Sequence, residues 1–236
     1  IPFKARVFVT DRFVSDVLEY VAGHAEKVMS ATRGADAQVV AWGLDPAKAP
    51  AMGVRFDFDS RGTEPVLLEK LTPNAPRPEP TSRPKAVEGV RMPVYDRFKV
   101  TKTAPFPAAY VIPASETATV ALLRKHGIIV ERLTADSSGD AALFSVSKVA
   151  VAPRPFQGHR LVTLDGEFLL RREILLTGSF VVRTAQPLGI LAFHMLEPES
   201  QDGVIAWGEM AAPTAGNECG VVKVMQPLTA ATERVP

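Results

Sequence analysis

Cysteine is nearly absent: Cys219 is the single thiol in 236 residues, which excludes an internal disulfide framework and a cysteine-rich zinc site. A charge of one sign is lacking too. Lysines and arginines number 27 against 26 acids, for a net charge of +1, so no broad field gathers a phosphate backbone or anionic lipid. No apolar run approaches the roughly 18–20 residues that cross a bilayer. Neither a nucleic-acid partner nor a membrane is therefore expected. Phosphate-cradling signatures are missing as well: there is no Gly-x-Gly-x-x-Gly and no P-loop, and Ser115 and Ser179 lack the Gly-x-Ser-x-Gly setting of a nucleophile elbow. The N-terminus IPFKARVFVTDRF has no initiator Met and no basic region followed by an apolar block, so it reads as a cut chain.

What is present is ordinary globular material, 46% hydrophobic and 22% charged, enough for one large domain or two small ones. Proline is concentrated, at 73, 76, 78, 80, 84 and 93. That density removes backbone donors and fixes extended backbone, which marks a linker. The chain thus divides into residues 1–72, a proline-rich linker at 73–93 and a C-terminal domain at 94–236.

Between Arg6 and Thr32, Val14, Val17, Leu18, Val21, Ala25, Val28 and Met29 recur at steps of three and four. This predicts an amphipathic helix that carries His24 on a partly exposed face and stops at Gly34. The stretch GVRFDFD alternates Val54, Phe56 and Phe58 with Arg55, Asp57 and Asp59, a half-buried strand whose carboxylates lie on the solvated side. Tyr110 to Ile112 is a strand, Ser115 an N-cap, Thr117 to His126 a helix, and Gly127 its left-handed terminator, with Ile128 to Leu133 a second strand. A strand, helix and strand in succession predict a right-handed parallel crossover. Further strands are expected at 143–152, 160–164 and 168–176, the last two joined by a hairpin turn at LDGEF. Another strand then leads into a helix between Pro187 and Pro198, and a short strand is possible at Val221 to Val224. The predicted class is α+β: a C-terminal mixed sheet with a strand–helix–strand unit, preceded by a long helix and a strand.

One pattern invites a metal. His194-Met195-Leu196-Glu197 is a His-x-x-Glu pair, and on a helix the two side chains stand one turn apart, as zinc chelation requires. A catalytic zinc also needs a third protein ligand, yet the remaining histidines, at 24, 126 and 159, sit on unrelated elements. Glu197 also precedes Pro198, at a frayed helix end. The pair reads as a decoy. His126 suits capping of the helix that ends beside it, and His159-Arg160, after the turn PFQG, reads as a strand-initiating polar pair. No catalytic, metal or binding residue is assigned from the residues alone.

The succession VRMPVYDRFKVTKTAPFPAAYVIP, LLRKHGIIVERL, HRLV, GSFVVRTAQPLGILAFHMLEPES and GVIAW resembles the C-terminal part of bacterial zinc carboxypeptidases of the M14 family. PFKARV with its following helix is similar to the stretch just after that family's catalytic glutamate. The resemblance implies that residues 1–72 are the end of an α/β peptidase domain and 94–236 an accessory domain. It implies that zinc, which polarises the scissile carbonyl and activates water with a glutamate as base, is held upstream of Ile1 in the intact enzyme. The partners would be the remainder of the peptidase domain and a peptide substrate, and the location the periplasm or the cell exterior. In the family's terms HMLEPES matches a C-terminal LLEPES helix and not the zinc motif, while the residues after Trp207 depart from the aromatic-rich ending of relatives. The alternative is a stand-alone module that binds a peptide, a glycan or a protein partner, with Arg154, His159 and Arg183 as the places to look.

Overall fold

The computed structural model describes residues 3–69 and 87–235. Most of the proline-rich linker, 73–86, lies outside the described residues; positions 87–93 open a long strand. The α+β class holds. Contacts divide the chain into two units, one of Ile1–Arg33 with Asp57–Lys99, the other of Gly34–Phe56 with Val100–Pro236. Residues 34–56 therefore pack with the C-terminal sheet, and Val39 and Val54 belong to its core.

The N-terminal periodicity becomes two helices, α1 (Phe3–Gly23) and α2 (Ala25–Leu44), separated at His24. The His24 ring stacks on Tyr20 with centroids 4.1 Å apart, and its Nδ1 lies 2.8 Å from the Tyr20 carbonyl. Gly34 does not end the helix. The following ADAQVVAWGL is rich in helix formers, so a single glycine is tolerated, and α2 buries Val39 and Gly43 at its far end. No residue of α1 is buried. The strands β1 (Met52–Glu69) and β2 (Val87–Ala104) pair as a two-stranded ribbon. On β1, burial fades from Val54 through Phe56 to Phe58, which is 70% exposed, and Asp57 and Asp59 face solvent.

The second unit is built on a seven-stranded sheet of β3 (Ala109–Ile112), β4 (Glu131–Leu133), β5 (Ser137–Val151), β6 (Val162–Leu175), β7 (Phe180–Arg183), β8 (Glu218–Val224) and β9 (Thr232–Arg234), ordered β6-β5-β8-β3-β7-β4-β9. The strand–helix–strand unit is there, with α3 (Thr117–Lys125) between β3 and β4. It differs from the expected crossover in one respect: β7 lies between the two strands, antiparallel to each. β3 and β4 therefore run parallel without being neighbours.

The end of α3 follows the sequence expectation. Ile128 N–H donates to Leu123 O (3.1 Å) and Gly127 N–H to Arg124 O (2.9 Å), the paired bonds of a Schellman cap, and Gly127 has φ +86°. Its start does not, because the N-cap position is Glu116 and Ser115 contributes only a backbone carbonyl.

The LDGEF turn is also overturned. Asp165 and Gly166 lie inside β6, opposite a bulge at Ser147 on β5. A Cβ on Gly166 would strike the Ser145 carbonyl and the Phe144 ring, so this glycine serves a close backbone approach and not a reversal. The actual reversal is PFQGH: Phe156 and His159 exchange backbone hydrogen bonds of 2.8 and 2.9 Å around Gln157 and Gly158, both with positive φ, as a type I′ turn requires.

Strand alternation sorts the core into two faces. Tyr110, Ile112, Phe144, Val182 and Val221 pack with Val120 and Leu123 of α3 and Phe193 and Leu196 of α4 (Gly189–Leu196). Ala109, Val111, Leu133, Val181 and Val224 form the other core, covered by Leu228 and Ala230 of the tail. The tail thus supplies a central strand, β8, between β5 and β3, and an edge strand, β9.

Candidate functional site

The end of α4 and the loop after it, HMLEPESQD, concentrate the polar chemistry of the second unit. Glu197 is the C-cap residue and has extended backbone (φ −68°, ψ 121°), so it leaves the helical face that carries His194. Its carboxylate turns into the core, where Tyr110 OH donates to Oε2 (2.7 Å) and Lys223 Nζ to Oε1 (2.9 Å). The Lys223 ammonium also lies 4.2 Å from the centre of the Phe168 ring and donates to Pro105 O (3.2 Å). Burial pushes the Glu197 carboxyl above its ordinary value and the Lys223 amine below its own, each pulled back by the other's charge. Burial and the Glu197 charge together drive the Tyr110 hydroxyl well up.

Two residues on, Glu199 is buried as well and takes Lys102 at 2.5 Å and Arg55 at 3.4 Å. Arg55 also donates to Asp165 (2.7 Å) and to the Leu164 carbonyl. Gln201 completes the clamp on β1: its amide oxygen accepts from Phe56 N–H (3.0 Å) and its amide nitrogen donates to Phe56 O (3.3 Å). The segment 197–201 is therefore a hub that fastens β1, β3, β6 and β8 to the end of α4.

These contacts decide what His194-x-x-Glu197 can do. A metal ligand needs a free lone pair directed at the ion, and both oxygens of Glu197 are occupied by a hydroxyl and an ammonium. His194 is half-buried, and its burial lowers its pKa. Among the described residues no group of three or more His, Cys, Asp or Glu side chains could hold a metal ion. His194 and Glu197, with both carboxylate oxygens engaged, do not form a metal-binding pair.

Above the hub lies a cleft of about 270 Å³. Met195, Gly203 and Val204 form its buried floor, Leu122, Leu191 and Trp207 its half-buried walls, and His126, His159, Asp202 and Glu209 its exposed rim. His159 is fixed by Nδ1 at 3.0 Å from the Trp207 carbonyl, and its ring meets the indole edge to face with centroids 5.5 Å apart. His126 caps α3 through its backbone N–H, which reaches the carbonyls of Leu122 and Leu123; no hydrogen bond of its ring is found among the described residues. The carboxylates of Asp202 and Glu209 likewise have no hydrogen bond or ion pair among the described residues.

Of the other positions the sequence points to, Arg183 is tied to Glu131 (3.0 Å) and to Leu228 O (2.6 Å), while Arg154 is exposed. The structure joins His159 to the cleft, and neither arginine is among the residues that line it. Lys223 and Arg55 are the residues that sequence reasoning missed. Charged residues inside strands normally mark the solvated face, and only the carboxylates of EPES, read as buried acids in need of cations, could have pointed to them.

No protein-family model matches the chain, and no solved structure does. Over 118 residues the chain is 29% identical to Carboxypeptidase 2 of Trichophyton tonsurans, covering 50% of this chain and 22% of that protein. It is 30% identical to Carboxypeptidase 2 of Trichophyton equinum over 108 residues (46% and 20%) and to that of Trichophyton rubrum over 102 residues (43% and 19%). These relatives are fungal, whereas the resemblance read from the sequence was to bacterial enzymes. The chain spans about a fifth of the length of the curated relatives it matches, and about half of it is distantly similar to fungal carboxypeptidases.

Proposed function

We propose that this chain is the C-terminal, non-catalytic part of a zinc metallocarboxypeptidase of the M14 type, which removes C-terminal residues from peptides. The similarity of about half the chain to Carboxypeptidase 2 carries this reading. The engagement of Glu197 by Lys223 and Tyr110 supports it, because the only His-x-x-Glu pair is taken up in the scaffold. In this reading zinc, its ligands and the general-base glutamate are upstream of Ile1. Residues 1–72 are then the end of the peptidase domain, 73–93 the link and 94–236 the accessory domain, with residues 34–56 packed into the accessory unit, and the intact enzyme works in the periplasm or outside the cell.

The surface of α1 supports an upstream partner. Phe8, Phe13 and Leu18 are exposed by 69, 67 and 63%, and an apolar face of this kind marks an interaction surface. The remainder of the peptidase domain is the partner that would cover it. Sequencing the coding DNA upstream of Ile1 tests the reading. The proposal expects an in-frame segment with a His-x-x-Glu pair and a distant third His; an in-frame stop directly before Ile1 would overturn it. A stand-alone binding module is the second reading, favoured by one observation, the cleft whose rim holds two carboxylates with no hydrogen bond or ion pair among the described residues.

A further inference from the structure

The cleft beside the hub has a chemistry that the carboxypeptidase reading does not use. Its volume of about 270 Å³ falls just below the roughly 300–1,000 Å³ of pockets that hold whole small-molecule ligands. It is the size for one side chain. Floor and walls are apolar, from Met195, Val204, Leu122, Leu191 and Trp207, so a long aliphatic stem gains by entering. The rim carries two carboxylates, Asp202 and Glu209, beside the imidazoles of His126 and His159, with no lysine or arginine; the Asp202 charge is felt at His194, but neither carboxylate has a hydrogen bond or ion pair among the described residues.

Elsewhere in the same unit, carboxylates on strands and loops are answered by cations, by arginine for Glu131, Asp165 and Glu218 and by lysine for Glu197 and Glu199. The cleft repeats the acidic half of that arrangement and lacks the basic half. The aromatic rings sharpen the choice of cation. Trp207 presents an indole wall braced by His159, and a planar guanidinium stacks on such a surface while its five donors reach two carboxylates at once, which an ammonium does less well.

We propose that this cleft binds the side chain of an arginine residue in a peptide, its stem on the Met195 and Val204 floor and its guanidinium between Asp202, Glu209 and the Trp207 face. The inference stands whether or not the chain belongs to a peptidase. It gives the unit a peptide-binding function of its own, selective for a basic residue.

The test is a titration with end-blocked Gly-Arg-Gly, its citrulline counterpart, which keeps the shape and loses the charge, and Gly-Leu-Gly. Binding is read by calorimetry on the unaltered chain and by fluorescence in Trp42→Phe, where Trp207 is the remaining tryptophan. The arginine peptide should saturate the site and bind about tenfold or more tighter than the citrulline peptide, since charge-assisted hydrogen bonds carry the difference. The combined Asp202→Asn and Glu209→Gln substitutions should weaken it about tenfold as well, with the thermal midpoint nearly unmoved because both side chains are exposed and make no hydrogen bond or ion pair among the described residues. No saturable binding of the arginine peptide up to about 10 mM, or equal binding of the citrulline or leucine peptide, would overturn the proposal.

Discussion

Lys223 Nζ lies 2.9 Å from one oxygen of Glu197 and 2.7 Å from the other, with the two side chains 2% and 0% exposed. The pair joins β8 to the end of α4, so this strand of the tail is structural. Removing the cation alone leaves a buried, uncompensated carboxylate. Lys223→Met is therefore expected to cost about 3–5 kcal/mol, measured by urea unfolding. Lys223→Met combined with Glu197→Gln should lose less than the single substitution, and a double variant worse than the single one would show that the charges are not coupled.

Cys219 is buried, and loss of solvation pushes its thiol up to about 11. Because the thiolate is the reactive form, the folded chain is expected to be inert to a thiol-specific disulfide reagent near pH 8, with one equivalent reacting on unfolding. Rapid labelling of the native chain would place Cys219 at the surface.

Arg55 holds the Asp165 carboxyl below its ordinary value, chiefly through their hydrogen bond. A carboxyl whose folded pKa is depressed contributes stability above its unfolded pKa and loses it as pH falls through the folded one. The thermal midpoint of the chain should thus drop on acidification below the ordinary carboxylate value of about 4, and Asp165→Asn should flatten that drop. Superimposable acid profiles for the two proteins would remove the Arg55 pairing from the account.

Phe13 and Leu18 of α1 are 67 and 63% exposed among the described residues. Phe13→Ser and Leu18→Ser are expected to shift unfolding free energy by no more than about 0.5 kcal/mol, as substitutions away from packed features do, while raising the concentration at which the chain stays monodisperse. A loss of several kcal/mol in chemical denaturation would show that α1 is packed.

Much of the fold was legible in the sequence because local signals agreed with it. Apolar periodicity marked the helical stretch at the N-terminus, though neither its break at His24 nor its run past Gly34, and Gly127 with Ile128 marked the cap of α3. The errors arose where tertiary contacts assign a residue its role. Gly166 follows an Asp and looks like a turn, but it is a glycine because Ser145 and Phe144 of the neighbouring strand leave no room for a Cβ. β7 separates β3 from β4 through hydrogen bonding between distant segments, which no local pattern records. Lys223 looks like a solvated strand residue, and only its distant partners Glu197 and Tyr110 explain its burial. The rim of the cleft comes from the end of α3, the PFQGH turn and the loop after α4; His126 and His159 stand out in the sequence only as a cap and a strand-initiating residue, and Asp202 and Glu209 carry no local signal.

Zinc stoichiometry tests most directly the claim that HMLEPES is scaffold. The purified chain would be stripped with a chelator, reloaded and assayed beside His194→Ala. Both are expected to hold less than about 0.1 zinc per chain, since a genuine three-ligand site fills essentially completely. About one zinc per chain, lost in His194→Ala, would contradict the account and make His194 and Glu197 ligands in their own right.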